Sequence, residues 1–165
     1  MRRILSLLAV FAIVVSVLCG CEIAEKLGFG GEKFDPTTKS YVPHEEIYTT
    51  GEGVYITLDS VEFVDGQPVF NVDWHNETDR LICFGVGYRI EIKNGENWES
   101  RMVEDFPIIE IACMLYPGET GRQVYKGQFF DFSDNGTYRL FVEFYFSDEQ
   151  GGSGTSYTCF EVADK

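Results

Sequence analysis

Apolar residues fall into three regimes along this chain. Between Ile4 and Val17 they form one run, broken only by Ser6 and Ser16. Between residues 22 and 50 no period is sustained, and Gly28, Gly30, Gly31, Pro36 and Pro43 stand among charged residues. Beyond residue 51, apolar and polar positions alternate in short stretches. That period sends successive side chains to opposite faces of a β-strand.

The alternation predicts individual strands. Val54–Leu58 reads as a first strand that can extend to Val64, closed by the Asp65-Gly66-Gln67-Pro68 turn. In Val69–Asn76, Phe70, Val72 and Trp74 point one way and Asn71, Asp73 and His75 the other. Ile82, Phe84, Val86, Tyr88, Ile90 and Ile92 share one face of a long strand, and Asn94-Gly95 turns it into Trp98–Val103. Ile108–Tyr116 is another strand, and Gln123–Tyr125 and Phe129–Phe132 are shorter pieces. Tyr138–Phe146 places Leu140, Val142, Phe144 and Phe146 on the core side. The Gln150–Gly154 loop then leads into Thr155–Val162. About seven strands at this spacing, with no long helical period, predict an all-β, two-layer sandwich spanning residues 51–165 as one domain.

Several local sequences sharpen that expectation. Asp134-Asn135-Gly136-Thr137-Tyr138 is similar to the tyrosine corner of immunoglobulin-like domains, which implies a Tyr138 hydroxyl bonded to the backbone just upstream. Phe70-x-Val72-x-Trp74-x-Asn76, Asn94-Gly95-Glu96-Asn97-Trp98, Leu115-Tyr116-Pro117-Gly118-Glu119-Thr120 and Asn135-Gly136-Thr137-Tyr138-Arg139 follow in order. Together they resemble the bacterial immunoglobulin-like domain family over roughly Val54 to Val162. The resemblance implies an immunoglobulin-like β-sandwich placed outside the cell and offers no catalytic residues. Tyr138 and Trp74 are read as structural.

The N-terminal regime predicts an address. Met1-Arg2-Arg3 followed by a short apolar run has the layout of a secretory signal peptide. The run is shorter than the ~20 residues a spanning helix needs. Leu18-Cys19-Gly20-Cys21 resembles the bacterial lipobox, which implies cleavage after residue 20 and lipidation of the Cys21 sulfur. Residues 1–20 are therefore read as a lipoprotein signal peptide and residues 21–50 as the lipidated cysteine with a flexible spacer. The chain is expected at the cell membrane, lipid-anchored and facing away from the cytoplasm.

Charge narrows the partners. The chain has 13 basic and 27 acidic residues, and loss of Arg2 and Arg3 makes the balance more acidic still. Such a surface repels nucleic acid.

Chemistry is sparse. Cys83, Cys113 and Cys159 leave at least one thiol unpaired within a chain. Cys83 and Cys159 fall on strands expected to flank the Tyr138 strand, too far apart for a disulfide; Cys83–Cys113 is left open. Asp73, His75 and Glu77 alternate along one strand, where ligands spaced over about 13 Å cannot converge on one ion. Asp131, Asp134 and Asp148 lie near loops without EF-hand spacing and read as turn residues rather than a calcium site. No nucleophile elbow, phosphate loop or HExxH motif is present. The expectation is a non-enzyme without metal or cofactor.

One surface invites a ligand. Gly85, Gly87 and Arg89, then Arg139, Phe141, Glu143 and Tyr145, then Tyr157, Cys159 and Glu161, are outward positions on three neighbouring strands. Two glycines beside three aromatic residues would make a shallow depression floored by rings. Phe141, Tyr145, Tyr157 and Arg89 are the candidate ligand-binding residues, suited to a protein or carbohydrate of the cell envelope. The sequence thus favours a membrane-anchored, non-catalytic binding or adhesion module. Alternatives are an immunoglobulin-like protease inhibitor using Gln150–Gly154 or Asp105-Phe106-Pro107, and a structural envelope subunit.

Overall fold

The computed structural model describes residues 34–51, 53–103 and 111–165. The expected signal peptide, Cys21 and the spacer up to residue 33 lie outside the described residues, as do Asp105-Phe106-Pro107 and the start of the strand expected from Ile108.

Nine strands are present among the described residues: β1 (Lys39–Thr49), β2 (Val54–Val64), β3 (Gln67–Asn76), β4 (Ile82–Asn94), β5 (Asn97–Ser100), β6 (Ala112–Leu115), β7 (Thr120–Lys126), β8 (Gly136–Phe146) and β9 (Ser153–Asp164). They form two antiparallel sheets. The larger runs β1-β9-β8-β4-β5, with β6 also paired to β4; the smaller runs β2-β3-β7. The chain is an all-β, two-layer sandwich, as the alternation predicts. Its helical content among the described residues is two short 3₁₀ turns, Pro36–Thr38 and Gly127–Phe129.

The period of two is obeyed most strictly in β3, where every second residue from Pro68 to Asn76 is buried. Trp74 is fully buried, stacked on Phe84 at 4.0 Å, and its indole N–H donates to the Tyr125 hydroxyl at 3.1 Å. From the facing sheet come Tyr138, Leu140, Val142 and Phe144, all within 1% of full burial. Phe144 fits because its neighbours lack side chains: a Cβ on Gly51 or Gly154 would lie 2.1 or 2.4 Å from its ring. Interdigitation of this kind is how sandwich cores reach the packing density of organic crystals.

Turn chemistry matches the hairpins. Asp65 and Gly66 both have positive φ, 51° and 75°, between β2 and β3. Two successive left-handed residues match the twist of the flanking strands. The tyrosine corner is formed, with the Tyr138 hydroxyl donating to the Asp134 carbonyl at 2.8 Å. Asn76, 1% exposed, donates to the Arg80 and Leu115 carbonyls and accepts from Thr78, so one buried amide fixes two loop ends.

The main departure from the sequence reading is β1. Residues 39–49 fall within the stretch expected to be a flexible spacer; they form the edge strand beside β9. The alternation is hidden because the register shifts between Pro43 and Ile47, with Glu45 and Glu46 between them. Proline, charge and a bulge are the features that mark an edge strand. Tyr41 anchors it, with ring centroids 5.5–6.3 Å from Phe63, Phe70, Phe132 and Phe160. Lys39, 5% exposed, donates to Asn135 at 2.6 Å and Asp164 at 2.7 Å, tying the chain entry to the tyrosine corner and the C-terminal strand.

Smaller departures have local causes. The strand expected to reach Val103 ends at Ser100, because Arg101 turns to hold Asp131 and Asp134 at 2.6 and 2.9 Å. Phe129–Phe132 is not a strand; Phe130 makes one isolated bridge to Met102. β6 is confined to Ala112–Leu115 among the described residues.

Cys83, Cys113 and Cys159 are free thiols. Phe84 pairs with Cys113 and Cys83 with Met114, so Cys113 lies on the core face of β4–β6 and Cys83 on the outer face. A Cys83–Cys113 disulfide is excluded because directly opposed residues share a face and their neighbours point the other way.

Candidate binding face of the six-stranded sheet

The register across the larger sheet brings four residues into one row. Arg89 on β4 opposes Phe141 on β8, Phe141 opposes Tyr157 on β9, and Tyr157 opposes Tyr48 on β1. Their planar groups lie against one another. Tyr48 and Tyr157 stack at 4.5 Å with 8° between ring planes, and Phe141 and Tyr157 at 6.5 Å with 18°. The Arg89 guanidinium covers Phe141 at 4.2 Å.

A second row lies alongside. Glu91, Arg139 and Cys159 are in register. Arg139 donates to Glu91 at 2.6 Å and lies 4.5 Å from the Trp98 ring and 4.9 Å from that of Tyr157. Cys159, on the outer face of its strand, is nonetheless 4% exposed beneath this layer. Burial pushes its thiol up to about 11, with Arg139 acting in the opposite direction.

This arrangement differs from a floor of open rings. The aromatic faces are occupied by one another and by guanidinium groups, as cross-strand and cation–π pairs prefer. Tyr145 is separate. It opposes Cys83 and Ser153, four residues along β8 from Phe141, and is 54% exposed. Arg89, Phe141 and Tyr157 are thus brought together, and Tyr145 shares their face at a distance. Tyr48 and Trp98 belong to the same layer, although the sequence reading does not select them. The signal for Trp98 is its hairpin register opposite Lys93; Tyr48 has none, because the β1 bulge conceals its alternation.

The depression expected beside the glycines exists, but a bulge makes it. Pairing of β4 with β8 passes from Phe84–Phe144 to Tyr88–Val142, so Gly85, Val86 and Gly87 stand against Glu143 alone. Extra residues bend the bulged strand and disrupt the ladder. The result is an open groove of about 690 Å³, lined among others by Cys83, Gly85, Arg89, Ile111, Phe141 and Tyr145. Its floor is glycine backbone and its walls carry the rings. Past the bulge, the Tyr88 ring packs on Tyr125 at 4.8 Å and its hydroxyl donates to the Lys126 carbonyl. Burial pushes that hydroxyl up to about 12.

The other candidate chemistry is absorbed by local pairs. On the smaller sheet, Asp73 accepts from Arg122 at 2.9 Å, His75 bonds the Thr57 hydroxyl at 3.0 Å, and Glu77 accepts from Tyr55 at 2.7 Å. Arg122 holds the Asp73 carboxyl below its ordinary range. Asp131 and Asp134 share Arg101, and Asp148 is bound by Arg80, which lowers its pKa. Arg80 also donates to the Gly151 carbonyl at 2.6 Å, tying down the Gln150–Gly154 loop. Among the described residues no group of three His, Cys, Asp or Glu side chains is placed to hold a metal ion.

Comparison with known proteins adds the family. None of the curated proteins and none of the solved structures compared with the chain matches it. A profile of bacterial Ig-like domains matches residues 50–161, from just after β1 to well within β9. With the tyrosine corner, the buried Trp74 and the two-sheet order already in place, the chain belongs to the bacterial Ig-like domain family.

Proposed function

We propose that this chain is a lipid-anchored, extracytoplasmic, non-catalytic binding module. Its ligand surface is the groove on the outer face of the six-stranded sheet. The observation that carries the reading is the groove itself: about 690 Å³ beside the half-exposed Tyr145 and Arg89, on a hydrogen-bonded sheet. That volume falls within the range of roughly 300–1,000 Å³ typical of ligand sites. Because the neighbouring ring faces already cover one another, the face suits a protein or peptide better than a sugar stacked on an aromatic platform.

The anchor rests on the Leu18-Cys19-Gly20-Cys21 sequence and the apolar run before it. A diacylated cysteine would hold the domain at the membrane, where a single acyl chain gives only marginal binding. The chain enters the domain beside Asp164 and Asn135, whereas the groove lies toward the opposite ends of β4 and β8. The domain would therefore present the groove away from its point of attachment.

Two experiments test the parts separately. Cys21→Ala should abolish incorporation of labelled palmitate and release the protein into the medium; full membrane retention without label would overturn the anchor. Envelope extract passed over the immobilised protein should yield a bound component that Tyr145→Ala and Gly85→Val both fail to retain. Full retention by both variants would move the ligand surface elsewhere.

A further inference from the structure

Five arginines of the described domain divide into two groups. Arg80, Arg101, Arg122 and Arg139 each donate to a carboxylate within 3.0 Å. Arg89 does not: its nearest carboxylate among the described residues, Glu143, is 3.7 Å away, and both side chains are more than half exposed. At that distance there is no hydrogen bond. Exposed pairs of this kind contribute little. The Arg89 guanidinium lies over Phe141, so one of its faces is covered while its in-plane N–H donors stay available at the rim of the groove.

The walls supply the complement. Phe141, Ile111 and Tyr145 present apolar surface, and Ile111 and Tyr145 are 50% and 54% exposed. The floor presents Gly85 and Gly87, which the β4–β8 ladder bypasses, Gly85 being paired on its other side with Ala112 of β6. Side-chain-free backbone beside a guanidinium fits an extended peptide better than an acyl chain, which would gain nothing from polar main-chain groups. The molecule as a whole is acidic, with net charge −14, so an anionic ligand would have to be recognised by a local cation rather than by the overall field.

Resting on the binding reading above, we infer that the groove takes the C-terminal end of a peptide, with its carboxylate on Arg89 and an apolar last side chain against Phe141, Ile111 and Tyr145. Glu143 beside Arg89 disfavours a second acidic group at the penultimate position. The test uses the full-length chain in detergent and a library of N-acetyl tripeptides, each made as the free acid and as the C-terminal amide. Binding is followed by chemical-shift change and by displacement.

The best free acids should end in an aromatic or branched apolar residue and bind about tenfold or more tightly than their amides, the size of one charge-assisted hydrogen bond. Arg89→Gln should erase that acid-over-amide preference, and Arg89→Lys should restore part of it. Gly85→Val should abolish binding of both forms. A Cβ at Gly85 meets only ordinary contacts, the nearest at 3.7 Å, and its backbone is not left-handed, so the position admits a side chain, and an unchanged urea midpoint would show that the fold is kept. Equal affinity for acid and amide, or an unaltered preference in Arg89→Gln, would overturn the carboxylate assignment and leave the groove as a binding site. Saturable binding by no library member would overturn the peptide assignment, and retention of an envelope component lost in Gly85→Val would then show that the binding reading survives without it.

Discussion

Single side chains fix this domain at points where the chain could otherwise slip. The Tyr138 hydroxyl reaches back to Asp134 from inside the core, and burial pushes its pKa up to about 12. Tyr138→Phe should therefore cost about 1–2 kcal/mol, the net worth of one such bond plus the carbonyl left without its partner. In urea unfolding this appears as a lower midpoint with an unchanged slope. Cys159 makes a second residue-scale prediction. It is buried and its thiol is raised to about 11, whereas Cys83 and Cys113 are only partly buried. Alkylation of the native chain near neutral pH, read by peptide mapping, should modify Cys83 and Cys113 well before Cys159. A group whose folded pKa exceeds its unfolded value contributes stability below the unfolded pKa and loses it as pH rises through the folded one. Cys159 thus adds a loss of stability between its ordinary value of 9.0 and about 11, and Cys159→Ala should flatten the curve in that window. Much of the candidate face was legible at this scale. The period of two alone puts Arg89, Phe141 and Tyr157 on one side of their strands. The groove was not, because Gly85, Val86 and Gly87 keep a regular apparent alternation and only the partner strand reveals that three residues face one.

Strands whose two faces differ in chemistry announce themselves in sequence; strands at an edge do not. β3, β8 and β9 each bury one face against the opposite sheet, and their alternation marks them nearly residue by residue. β1 has one neighbour in its sheet, β9, and its outer edge carries Pro43 and the Glu45–Glu46 bulge, so nothing periodic marks it. The family profile likewise begins only at residue 50. Yet β1 runs against β9 for most of its length and inserts Tyr41 among Phe63, Phe70, Phe132 and Phe160. A chain beginning at residue 50 should therefore be strongly destabilised or aggregate through the bared β9 edge, whereas one beginning at residue 35 should unfold cooperatively. Removing Tyr41 alone, as Tyr41→Ala, should cost about 1–3 kcal/mol, less than a fully buried aromatic residue because Tyr41 is half-buried. Equal midpoints for the two truncations would show that β1 is dispensable to the sandwich.

Across the whole molecule, the excess of acid sets how stability responds to pH. Self-repulsion among the carboxylates opposes the compact state, and protonating the free ones as pH falls from neutral relieves it. The paired carboxylates act in the other direction. Asp73 is held below its ordinary value by Arg122, Asp148 by Arg80, and Asp164 by Lys39 and Asn135. A depressed carboxylate contributes its stability above the unfolded pKa, near 3.8, and loses it as pH falls through the lower folded value. The two effects occupy different windows. Thermal midpoints should hold level or rise from pH 7 toward about 4.5 and fall only below about 4, where the paired groups take up protons. Arg122→Gln frees Asp73 from its partner and should soften the acid fall while keeping the level or rising trend above it, because the carboxylates that repel one another there are still present. A steady loss of stability from about pH 7 to about 5 in the parent chain would overturn the self-repulsion account, because the paired carboxylates take up protons only below that window.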